Sequence, residues 1–99
     1  MARRSKPQQS KHDKKVKQIV RRLERDGWSV EADLPGRDNR PDPIGQGGYI
    51  PDIVATKAGA KRIVEVETSE SLSKDRKQQE AFRRSASQQN RTSFTIEEA

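Results

Sequence analysis

The sequence predicts one small α/β domain of the α+β kind, with a central mixed sheet flanked by helices. The elements run helix, strand, strand, strand, helix, strand. Three observations predict this order. Val16, Ile19, Val20 and Leu23 form one apolar stripe at helical spacing. Trp28, Val30, Ala32 and Leu34 alternate with Ser29, Glu31 and Asp33, the period of a strand with one wet face. Residues 49–68, YIPDIVATKAGAKRIVEVET, are the most apolar part of a very polar chain and read as two strands around a turn.

The first helix is expected from about Asp13. Gly27 stands where a helix-ending glycine belongs. Residues 1–12 are polar and basic, contain Pro7, and are expected to form a disordered arm ahead of a domain spanning 13–99. Residues 35–48, PGRDNRPDPIGQGG, hold three prolines and four glycines and must be a loop. Its GQGG piece leads into a strand rather than a helix, which argues against a phosphate cradle. The next strands are expected at about 49–56 and 61–68, with Ala58-Gly59 as a tight turn. Ser71 or Ser73 would cap the second helix, with Asp75 in its first turn and Leu72, Gln79, Phe82 and Ala86 on one face. Residues 93–96 make a last short strand.

With 99 residues, 28% of them hydrophobic and 36% charged, the core must be thin, and dimerisation would help it. The chain has no cysteine, which excludes disulfides and thiolate metal sites. The single histidine, His12, falls in the polar arm. No apolar run approaches the ~18 residues of a membrane span, and the start lacks the apolar segment of a signal peptide. The expectation is a cytoplasmic protein with no membrane partner.

The net charge of +6 is unevenly spread. Residues 1–26 carry ten Lys and Arg against three acids, and the remainder is nearly neutral. Arg3, Arg4, Lys6, Lys11, Lys14, Lys15, Arg21 and Arg22 are the candidates to bind a polyanion, most simply nucleic acid. The plainer alternative is a solubilising tail.

The hairpin carries Asp52, Glu65 and Glu67. A two-residue loop at Ala58-Gly59 sets Asp52 opposite Glu65 and puts all three acids on one face, with the first two roughly 5 Å apart at Cβ. Like charges so placed destabilise a sheet. If the face is wet, Lys57, Lys61 or Arg62 can pair with them weakly. If it is covered, a carboxylate must take up a proton or the cluster must hold a cation. Three carboxylates, with the Val66 carbonyl as a further oxygen, suit Mg²⁺ or Mn²⁺ rather than Zn²⁺.

Ile50-Pro51-Asp52, twelve residues, then Glu65-Val66-Glu67, set between a helix–strand and a helix–strand, resembles the PD-(D/E)xK nuclease superfamily. That group includes restriction endonucleases and Holliday junction resolvases. The resemblance covers about residues 13–97 and implies a restriction-endonuclease-like αβββαβ core. It also implies Mg²⁺-dependent hydrolysis of DNA, possible action on branched DNA, and a homodimer. By position, Asp52 and Glu65 match two metal-binding acids. Glu67 is the departure, because most members carry Lys there; some restriction enzymes carry Glu and are active. The resemblance further points to Gln18 on the first helix and Gln79 on the second as supporting residues, and away from Glu24. The rival readings are a nucleic-acid-binding module without catalysis and a structural assembly protein.

Overall fold

In the computed structural model, which describes residues 6–68 and 75–99, the elements follow the expected order. They are α1 (Lys6–Arg25), β1 (Ser29–Ala32), β2 (Ile53–Lys57), β3 (Ala60–Glu67), α2 (Arg76–Gln88) and β4 (Thr92–Glu98). The four strands form one sheet in the order β1-β2-β3-β4. The first three pair antiparallel, and β4 returns through α2 to lie parallel to β3. A parallel return needs such a crossover, and the helix supplies it.

Helix α1 starts at Lys6, earlier than the expected Asp13, so residues 6–12 belong to the fold rather than to a disordered arm. Pro7 sits in the first turn, where its missing N–H has no helical partner to lose. The C-terminus ends in a Schellman motif. Trp28 N–H donates to Leu23 (3.0 Å), Gly27 N–H donates to Glu24 (3.1 Å), and Gly27 takes φ +91°. The stripe Val16, Ile19, Val20 and Leu23 is buried as expected, and it packs on Val30, Ala32, Ile53, Ala55, Val64 and Val66.

The β2–β3 turn is the two-residue loop at Ala58-Gly59. Both residues have positive φ (+49° and +84°), as a twisted hairpin of this length requires. Lys57 pairs with Ala60 and Ile53 with Val64, the register read from the sequence. Strand β2 is shorter than expected, because Tyr49 instead bridges back to Ile44 and closes a small hairpin within the glycine-rich loop. Strand β4 is longer than expected.

Helix α2 begins after Asp75, which is the N-cap rather than a first-turn residue and makes no side-chain capping bond. Ser71, Ser73 and Leu72 lie outside the described residues. The buried positions of α2 are Gln78, Phe82 and Ala86. Phe82 packs with Ile63, and Tyr49 and Phe94 meet its ring at centroid distances of 6.5 and 5.9 Å. Among the described residues no helix is long and apolar enough to cross a membrane.

Candidate active site

The site is built where β2 begins and β3 ends. The ladder closes at Ile53 and Val64, so Asp52 and Glu65 are the next pair along. They are joined reciprocally. Asp52 N–H donates to Glu65 Oε1 (2.7 Å), and Val66 N–H donates to Asp52 Oδ2 (2.8 Å). Each carboxylate therefore continues the pairing of the sheet past the point where backbone groups stop meeting. Glu65 is 1% exposed and Glu67 0%. This removes the wet-face alternative, in which surface lysines neutralise the acids. Lys57 donates to the Asp26 carbonyl instead, and Arg62 lies over the Trp28 ring.

Glu65 registers the cost. Its carboxyl is pushed from the ordinary 4.5 up to about 9. Burial is the main cause, followed by the Asp52 charge; the Asp52 N–H opposes the rise, Glu67 adds to it, and the Gln78 hydrogen bond opposes it. At neutral pH the group holds a proton unless a positive charge arrives to replace it.

Two residues missed in the sequence complete the site. His12, expected in a disordered arm, is 3% exposed. Its Nε2 lies 3.2 Å from Asp52 Oδ1, and its Nδ1 lies 3.0 Å from Asp13 Oδ1. Gln9 also donates to Asp13 Oδ1, at 2.9 Å. The imidazole thus lies between two carboxylates, beside the Asp52 oxygen that the Val66 N–H does not engage. The signal was present: His12 is four residues before Val16, on the apolar stripe extended back by one turn. The second is Gln78, whose Nε2 donates to Glu65 Oε2 at 2.8 Å while the side chain is buried.

The supporting residues named from the resemblance are corrected accordingly. Gln18 is solvent-exposed on α1, and His12 is the α1 side chain that meets the site. The glutamine of α2 that holds Glu65 is Gln78, with Gln79 half-buried beside it. Glu24 is exposed and lies 3.6 Å from Arg37. Of the basic candidates, Lys6, Lys11, Lys14 and Arg21 are exposed on α1. Arg22 and Lys15 lie 2.9 and 4.0 Å from Glu97 on β4. Arg3 and Arg4 fall outside the described residues.

Among the described residues no three His, Asp or Glu side chains converge closely enough to hold a metal ion together. The donor chemistry nevertheless suits a hard divalent cation. Two carboxylates meet in a nearly dry setting, a third follows on the same strand, and the anionic form of Glu65 is strongly disfavoured without a compensating charge. The chain matches no family model, and neither a curated protein nor a solved structure proves similar to it.

Proposed function

We propose that the protein is a Mg²⁺- or Mn²⁺-dependent endonuclease that hydrolyses phosphodiester bonds in DNA, on a restriction-endonuclease-like version of the αβββαβ fold. One observation carries the reading. Asp52 and Glu65 are locked together at the end of a buried hairpin, in a setting that raises Glu65 to about 9. Strongly perturbed buried carboxylates cluster at functional sites.

In this account Asp52 and Glu65 would hold the cation, the Val66 carbonyl would supply a further oxygen, and Glu67 would join them only on drawing closer than it stands in the structure. When bound, the cation supplies Lewis acidity toward the scissile phosphate and its attacking water. His12 holds the Asp52 carboxylate in one orientation, and Gln78 does the same for Glu65. Glu67, one strand repeat beyond Glu65, orients the water or shares the cation. The exposed cations of α1 neutralise phosphates, so binding is salt-sensitive and largely independent of sequence. A homodimer would let two sites address two strands, and β4, an edge strand of the sheet, would be one place for a second copy to pair. Sedimentation at micromolar concentration tests that part.

The second reading, a nucleic-acid-binding module without catalysis, is favoured by the lack, among the described residues, of three converging ligands and by Glu67 in place of Lys. A cleavage assay with Mg²⁺ or Mn²⁺ over single-stranded, duplex, flap and four-way substrates separates the two. The endonuclease reading expects cleavage that Asp52→Ala abolishes without weakening DNA affinity. It also expects Glu67→Gln to slow cleavage by ~10²-fold. Cleavage only by Glu67→Lys would identify the natural protein as the inactive module. Wild-type rates from Asp52→Ala would refute the site.

A further inference from the structure

The glycine-rich loop, discounted above as a phosphate cradle for leading into a strand, forms one wall of a groove whose other wall is α2. Ile44 and Tyr49 exchange both backbone hydrogen bonds (2.7 and 3.0 Å), and Gly48 N–H donates to Gly45. The result is a tight hairpin tip. Gly45 and Gly48 take φ of +76° and +65°. A side chain at Gly47 would meet the Tyr49 ring at 2.5 Å, and one at Gly45 would reach Ala81 at 3.4 Å. Positive φ favours glycine at 45 and 48, and at 47 a Cβ would push the Tyr49 ring away from the tip.

Between tip and helix lies a cavity of about 520 Å³, a volume in the range of small-ligand sites but polar rather than apolar. Its helical wall is the stripe Lys77, Ala81, Arg84, Ser85 and Gln88, displaced from the buried stripe Gln78, Phe82 and Ala86. The small residues Ala81 and Ser85 leave room, and Lys77 and Arg84 supply charge. These two cations are about 10 Å apart along the helix axis, two turns at 1.5 Å per residue. Glu80 also lines the wall between them.

Both walls of the groove run on, along the chain, into the candidate active site. Lys77 is the neighbour of Gln78, which donates to Glu65, and Tyr49 is three residues before Asp52. We propose that a single nucleic-acid strand lies in this groove, with its phosphates along Lys77 and Arg84, as it passes the carboxylates of Asp52 and Glu65. A cavity of about 520 Å³ is too small to admit a duplex, whereas a nucleotide or two of an unpaired strand can occupy it. This deepens the endonuclease reading and rests on it for direction: the substrate is an unpaired or frayed strand, and α1 is left to the adjoining duplex.

The test is binding in chelator, so that no cleavage enters. A labelled single strand of about 12 nucleotides, within the length that single-strand folds cover, is titrated by fluorescence anisotropy across a salt series. Lys77, Glu80 and Arg84 are exposed, and replacing them removes no core. The double variant Lys77→Ala/Arg84→Ala should weaken single-strand binding at least tenfold. It should also lower the slope of log K against log salt by about 1.4, two contacts at about 0.7 each. Glu80→Gln should tighten binding, an outcome that an unfolded variant cannot imitate. A duplex should be insensitive to the groove pair and sensitive to Lys14→Ala/Arg21→Ala. An unchanged single-strand slope, or equal losses for duplex and single strand, would overturn the proposal. Inactivity with all metals but an altered slope would sink only the catalytic reading. Metal-dependent cleavage with an unchanged slope would sink only the groove.

Discussion

The two faces of β3 are built to opposite rules. On the α1 side Val64 and Val66 join an apolar cluster of eleven buried residues. On the α2 side, among the described residues, Ile63 shares a smaller cluster with buried Phe82 and Ala86 and with half-buried Ile44, Tyr49 and Phe94, and the strand then carries Glu65 and Glu67 into full burial. Successive residues of one strand thus exclude water with opposite energetic effects. The first face holds the domain together. The second gives up packing and takes on a standing electrostatic cost, which stability alone does not explain, since well-packed apolar residues would serve as well or better. The difference teaches that burial by itself does not distinguish a packed face from an acidic one, whereas the sign of its energetic effect does.

The sharpest way to break the comparison is to move an acid from one face to the other. Val66→Glu places an unpaired carboxylate in the α1 cluster and should cost about 4 kcal/mol or more, enough to unfold a domain of this size. Glu67→Leu should instead leave the domain folded or more stable, and inactive. Urea denaturation of the two variants compares the faces directly. Equal destabilisation would mean that Glu67 is an ordinary structural residue.

The next effect is a pH dependence with a definite sign. Glu65 is raised in the folded state from 4.5 to about 9, so between those values the folded protein holds a proton that the unfolded chain releases. Its contribution is fully present below about 4.5 and is lost as pH climbs toward 9. The slope is at most about 1.4 kcal/mol per pH unit. Without divalent cations, Glu65→Gln should remove most of this slope and be more stable than wild type at pH 8. A wild type whose denaturation midpoint does not fall from pH 5 to pH 8 would show that the acid face carries no such cost.

The smallest effect separates neighbours on α2. Gln78→Ala removes the donor to Glu65 and should lower Mn²⁺ affinity and cleavage roughly tenfold, as the loss of a group that orients a ligand does. Gln79→Ala should change both less than twofold. The reverse ranking would return the supporting role to the residue read from the sequence.

That misplacement shows where the sequence was legible and where it was not. Alternation and the Ala58-Gly59 turn fixed the hairpin register, because a one-residue slip would send every β3 side chain to the other face. Asp52, Glu65 and Glu67 could therefore be set on one face without a structure. The α2 contact depends on helical phase, and counting that phase from Leu72, which lies outside the described residues, gives Gln79. Both Gln78 and Gln79 lie within one turn of Phe82, so only packing distinguishes them. His12 was lost for a different reason. Its turn of helix is polar apart from the imidazole, and Pro7 reads as a breaker everywhere but in a first turn. The Ile44–Tyr49 bridge was hidden because glycine and proline mark a loop without giving its path. Strand-like sequence at Tyr49 and Ile50 was spent on that bridge and the bend before Asp52.

The claim that the acid face is a metal site is tested most directly by counting protons on metal binding. Mn²⁺ is titrated into wild type and Glu65→Gln at pH 7.5 by isothermal calorimetry, in buffers of different ionisation enthalpy. Because Glu65 is held protonated up to about 9, its engagement by the cation must release that proton. The account predicts release of about one proton per Mn²⁺ by wild type. It predicts no release, with much weaker binding, by Glu65→Gln. Binding without proton release, or identical titrations for the two proteins, would contradict it.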